Sequence, residues 1–113
     1  MPNYLVALYR PRAEESAFTV DATMAREIDA LNDAMVAAGI RVFVGGLKPT
    51  NTAQSLHRQP DGNVTLADGP LGPAADYMDG FWVLKVANAD EAVAWGRRAA
   101  AACRASVEVR PFH

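Results

Sequence analysis

Tyr4 to Tyr9 are apolar or aromatic without a break, and Arg10-Pro11-Arg12 closes the run with charge and a proline. An uninterrupted apolar run of this length, here Asn3 to Tyr9, predicts a strand buried on both faces. Asp21 begins a different rhythm: Ala25, Ile28, Leu31, Met35 and Ala38 step by three and four, Arg26, Glu27, Asn32 and Asp33 fall between them, and Gly39 follows. That spacing predicts a helix from Asp21 to Ala38, capped by the Asp21 carboxylate and stopped at the glycine. Ile40 to Val44, rich in β-branched and aromatic residues, reads as a second strand that ends at Gly45-Gly46, and Pro49 opens a polar connection.

Ala53 to Arg58 and Asn63 to Ala67 flank Gln59-Pro60-Asp61-Gly62, whose Pro, Asp and Gly supply the backbone angles of a tight turn, so a hairpin is expected there. Asp68 to Gly80 is rich in glycine and proline and reads as one long surface loop, a kind of segment often used for function. Phe81 to Val86 is a strongly apolar strand. Asn88, with Glu91 three residues on, opens a second helix with the stripe Ala92, Trp95, Ala99 and Ala102. Ser106 to Arg110 alternates Val107 and Val109 with Glu108 and Arg110, a strand polar on one side and stopped by Pro111. Two strand–helix–strand units predict an α+β, ferredoxin-like antiparallel sheet with both helices on one face. The other face then has no cover within the chain, although the Asn3–Tyr9 and Phe81–Val86 strands are apolar on both sides. A two-fold homodimer with its sheets packed face to face is the expected solution.

Length and charge narrow the classes further. A chain of 113 residues predicts a single domain. Its 11 Lys plus Arg against 13 Asp plus Glu leave no basic stripe to bind nucleic acid. No stretch approaches the ~18 apolar residues of a membrane span, and the Met1-Pro2-Asn3-Tyr4 start lacks the pattern of a secretory leader, so a cytoplasmic protein without membrane partners is expected. Cys103, alone among alanines, reads as a small buried hydrophobe, and Asn63-Val64-Thr65 as a chance sequon.

Leu47-Lys48-Pro49, Asp68-Gly69-Pro70-Leu71, Gly80-Phe81-Trp82, Asp90-Glu91-Ala92 and Val107-Glu108-Val109-Arg110-Pro111 together resemble, in order and spacing, the YCII-related proteins of the DGPF type, over nearly the whole chain. The resemblance implies a dimeric α+β barrel whose biochemical activity is generally unassigned. Some relatives are encoded with or joined to extracytoplasmic-function sigma factors, but nothing in this chain resembles a sigma factor. Two departures limit what carries over. Leu71 stands where the family usually has Phe, and Gly72-Pro73-Ala74-Ala75-Asp76 replaces a charged run. YCII proteins proper are proposed to use a His–Asp pair with the His on the first helix, and Asp21 to Ala38 contains no His.

The remaining candidates for chemistry are few. Two His (His57, His113) and one Cys give too few ligands for an expected metal site, and neither a glycine-rich phosphate loop nor a nucleophile elbow occurs, so no cofactor is expected. Asp68, after a strand and opening the loop, suits a backbone cap or a base facing a cleft; His57 is the natural proton-transfer candidate or an exposed strand residue. Glu108 and Arg110, two apart on one strand face, form either a charged cleft floor or a solvated ion pair, and Tyr77 is expected to line an aromatic pocket. The expected function is a dimeric domain that binds a small molecule beside the Asp68–Gly80 loop. The alternatives are a non-catalytic interaction partner and, by fold analogy, a cofactor-independent oxygenase or isomerase.

Overall fold

The computed structural model describes residues 1–72 and 74–113. In chain order it contains β1 (Asn3–Pro11), a 3₁₀ stretch (Arg12–Ala17), α1 (Ala22–Ala37), β2 (Arg41–Gly46), a 3₁₀ turn (Thr50–Thr52), β3 (Gln54–Arg58), β4 (Val64–Asp68), β5 (Asp76–Lys85), α2 (Ala89–Cys103) and β6 (Ser106–Pro111). β2, β5, β1 and β6 lie side by side in that order, every neighbouring pair antiparallel, and β3–β4 form a separate hairpin. This is the ferredoxin-like α+β arrangement the sequence predicts.

Both helix starts are capped as the sequence suggests. The Asp21 side chain accepts from the Met24 backbone N–H at 2.8 Å and the Asn88 side chain from the Glu91 N–H at 2.9 Å, while the Glu91 carboxylate reaches back to the Ala87 N–H. Each capped donor is one of the four that a helix start leaves unpaired. The core lies between the helices and one sheet face, where Tyr4, Val6, Leu8, Trp82 and Leu84 meet Leu31 and Met35 of α1 and Ala92, Ala99 and Ala102 of α2. Fully burying side chains such as Val6, Leu84 and Met35 contributes ~1.5–3 kcal/mol each. Trp82 also keeps its polar end satisfied, donating Nε1–H to Asn32 Oδ1 at 2.9 Å and tying β5 to α1.

The structure corrects four expectations. In α1 the buried stripe begins at Met24 instead of Ala25, and Ala38, which caps the helix end, is exposed. In α2 the closest approach is made by Gly96, with Trp95 only partly buried, since a Cβ at Gly96 would stand 2.8 Å from Val109 Cγ2 on β6. Most consequentially, the Asp68–Gly80 loop is shorter than expected. Asp76, Tyr77 and Met78 pair with Pro11, Arg10 and Tyr9 beyond a bulge after Leu8, so β5 begins at Asp76 and β1 continues through the charged residue taken as its end. Pro73, within the replaced run, lies outside the described residues.

β1 is also not uniformly buried on both sides. Tyr4, Val6, Leu8 and Arg10 are buried against the helices, whereas on the opposite face Leu5 and Tyr9 remain partly exposed and only Ala7 is buried. The open face therefore has rows read straight off the register: Arg110, Leu5, Val83 and Phe43 in one, and Glu108, Ala7, Phe81 and Gly45 in the next. Phe43 and Phe81 stack across it with centroids 5.7 Å apart.

Candidate functional site

At one end of the sheet three distant segments enclose a cleft of about 390 Å³. The first wall is Arg12, just after β1; the second runs from Leu47 to Ala53, after β2; the third comprises Pro70, Leu71, Ala74 and the start of β5 through Met78. Backbone bonds fix each wall to another: Arg12 N–H donates to Ala75 O and Leu47 N–H to Asp79 O, both at 2.8 Å. The Glu15 carboxylate accepts from the Thr50 N–H at 2.9 Å and the Thr50 hydroxyl at 2.6 Å, clamping the 3₁₀ stretch to the second wall. These two bonds, the hydroxyl's foremost, hold the Glu15 carboxyl below the ordinary carboxylate range.

The lining is mostly apolar, with Leu47, Pro49, Pro70, Leu71 and Met78, and a few polar groups converge on it. Tyr77 is buried, and its hydroxyl has no hydrogen-bond partner within the chain among the described residues. Burial, and then the nearby Asp79 carboxylate, push its phenol above the usual value, so it stands at neutral pH as an O–H donor. Arg12 and Lys48 bring cations to the cleft, with Arg12 spending one N–H on Gly72 O at 3.1 Å, and Asp76 is the carboxylate at its margin. An apolar recess with a few convergent polar groups is the usual form of a small-molecule site.

Behind the cleft lies a charged group that the sequence reading passed over. Arg10 projects from β1 into the core side, where its Nε donates to Asp79 Oδ2 at 2.8 Å and its Nη1 to Cys103 O at 2.7 Å and Arg104 O at 3.3 Å. The Phe18 ring covers the guanidinium at 3.7 Å. The signal was the period of two: Arg10 follows Tyr4, Val6 and Leu8 on one strand face. The cations of the cleft left a weaker trace, since Arg12 belonged to an apparent turn and Lys48 to a polar connection. Cys103 is buried and free, and burial raises its thiol pKa, in keeping with its reading as a small hydrophobe.

Of the expected site residues, Tyr77 alone lines the cleft. His57 and Asp68 lie on the hairpin, where His57 pairs with Thr65 and Asp68 with Gln54. Since paired residues share a face and alternate along a strand, His57 and Asp68 point to opposite sides, about 10 Å apart along the ladder. One chain does not bring them together. Among the described residues nothing donates to the Asp68 carboxylate; the turn after it is held by Gly69 N–H to Ala53 O at 2.8 Å and by the Ser55 hydroxyl to Gly69 O at 2.6 Å. Glu108 and Arg110 bond at 3.0 Å on the open sheet face, both largely exposed, away from the cleft. They are a solvated ion pair, and the bond to Glu108 raises the Arg110 pKa. Among the described residues no three His, Cys, Asp or Glu side chains gather as a metal site would require, and no helix is long and apolar enough to cross a membrane.

An uncharacterized protein of Rhizobium meliloti (strain 1021) is 31% identical over 113 residues, spanning 96% of this chain and 90% of the relative. Residues 3–113 match the YCII-related domain family. From Asn3 at the start of β1 to His113 beyond β6, the chain belongs to the YCII-related family.

Proposed function

We propose that the protein is a homodimeric binding domain whose cleft takes a small organic anion with an apolar body. The observation that carries this reading is Tyr77, a largely buried side chain whose hydroxyl has no partner among the described residues, set in an apolar recess beside Arg12 and Lys48. The phenol hydroxyl and the two cations suit a carboxylate or similar anionic head, and the Leu, Pro and Met walls suit its carbon skeleton. A phenol pKa displaced upward serves a hydrogen-bond donor and not a base, so the chemistry favoured is recognition.

The test is calorimetric titration with benzoate and, as the uncharged control, benzamide. Benzoate is expected to bind and benzamide far less. Tyr77→Phe removes one hydrogen bond to a charged group, worth about 1.5–3 kcal/mol, and should weaken benzoate binding at least about tenfold. Equal binding of both probes, or a Tyr77→Phe variant that binds like the parent, would overturn the reading.

The homodimer rests on the open sheet face. Leu5, Val83 and Phe43 in one row and Ala7 and Phe81 in the next form a continuous apolar surface with no helix over it among the described residues. A second copy of the same sheet offers the matching surface. Val83 points outward and Leu84 into the core, so Val83→Asp should bury an unpaired charge in the interface, at a cost of several kcal/mol, and give a folded monomer or an insoluble chain. A parent protein that sediments as a monomer at micromolar concentration contradicts the dimer.

A further inference from the structure

The β3–β4 hairpin stands apart from the rest of the fold. Its strands pack on each other far more than on any other strand or helix; the Gly69 N–H to Ala53 O and Ser55 hydroxyl to Gly69 O bonds close its own base, and among the described residues no hydrogen bond ties it to another strand or helix. A two-stranded hairpin alone is at best marginally stable in water. One face carries Leu56 paired directly with Leu66 and, beside them, Val64. These side chains are 65%, 64% and 58% exposed. The opposite face carries Ser55, His57, Thr65 and Ala67. The first face also holds Gln54, Arg58 and Asp68 towards its ends, and among the described residues nothing covers its three apolar side chains.

The dimensions of the chain show how large the missing cover is. The radius of gyration is 16.0 Å, against about 13 Å for a compact chain of this length. The accessible surface is 7398 Å², about 1,400 Å² above that of a compact monomer of this mass. Two copies that each lost this excess would bury about 2,800 Å² together, within the range of obligate homodimers. The open sheet face contributes part of this area, but its central side chains are already half-covered by one another, whereas the hairpin leucines are not.

We propose that the β3–β4 hairpin is an arm that lays its Leu56–Val64–Leu66 face on a second copy of this chain, each subunit clasping the other. The arm rests on the dimer reading above and adds to it a particular contact, which a face-to-face sheet dimer does not need.

The experiment combines sedimentation equilibrium with hydrogen exchange on the parent and on Leu56→Thr/Leu66→Thr, which keeps strand propensity and removes the apolar face. The expected result is a dimeric parent and a variant with an unchanged far-ultraviolet spectrum whose dimer dissociates at least about 100-fold more readily. Amides of residues 54–58 and 64–68 should be protected in the parent dimer and lose that protection on dilution to monomer. A parent dimer matched by the variant in affinity overturns the arm and leaves the sheet dimer standing. A monomeric parent overturns both. Hairpin amides protected equally at concentrations where the parent is monomeric would mean the chain covers its own arm, and also overturn the proposal. Should the double variant unfold, concentration-dependent exchange on the parent alone decides.

Discussion

Removing the Asp79 carboxylate should expose how the core tolerates a guanidinium. The Arg10 side chain is 6% exposed and Asp79 29%, with their contact at 2.8 Å. Breaking a buried pair from one side costs about 3–5 kcal/mol because the remaining charge is buried without its counter-ion. Here Arg10 keeps two carbonyl acceptors and the Phe18 ring, and Asp79 is partly wet, which places Asp79→Ala at the low end, about 3 kcal/mol. For a chain of this length about 4 °C of Tm accompanies each kcal/mol, so melting should fall by about 12 °C. Thermal unfolding followed by circular dichroism reads this directly. Arg10→Met/Asp79→Ala, which removes the stranded charge while filling the volume, should be more stable than Asp79→Ala. An Asp79→Ala variant within about 0.5 kcal/mol of the parent would refute the reasoning, since it would mean that the carbonyls of Cys103 and Arg104 hold the charge unaided.

Gly96→Ala gains up to ~1 kcal/mol of helix propensity but sets a Cβ 2.8 Å from Val109 Cγ2, and the clash should prevail with a net loss of about 1 kcal/mol that Val109→Ala relieves; urea unfolding of the single and double variants checks it. Gly69 sits at φ +99°, a conformation closed to a β-branched residue, so Gly69→Val should destabilise by more than ~1 kcal/mol, measured in the same way. Glu15 has a lowered folded pKa, so its stabilising contribution is complete above the ordinary value of 4.5 and is lost as the pH falls through the lower folded value. Thr50→Val, which removes the hydroxyl donor, should therefore lower the urea midpoint at neutral pH and match the parent once the carboxyl is protonated in both states.

The parts of this fold set by neighbours in sequence were legible in it. Asp21 and Asn88 cap the helices they precede because a cap needs only the next three residues, and Gln59 to Gly62 turns the hairpin for the same reason. What depended on distant partners was not. The period of two puts Arg10 on the buried face after Tyr4, Val6 and Leu8, but the partners that let a charge stay there, Asp79, Cys103 and Phe18, come from other elements, and no local pattern announces them. The first half of β5 was hidden by the glycines and prolines before it, although Arg10 and Tyr77 pair across the bulge. His57 and Asp68 were joined by proximity to the loop, while the hairpin register turns them to opposite faces. The cleft unites Arg12, Lys48 and Tyr77 through β1, β2 and β5, and only Tyr77 had enough aromatic character to stand out beforehand.

The most direct test of the cleft is nuclear magnetic resonance of ring-labelled tyrosine during a benzoate titration. The chain has three tyrosines, Tyr4, Tyr9 and Tyr77, of which only Tyr77 lines the cleft. The Tyr77 ring should shift saturably, with Tyr4 in the core and Tyr9 on the open sheet face unmoved. A titration that moves Tyr9 and leaves Tyr77 in place would contradict it, as would one that leaves all three rings still.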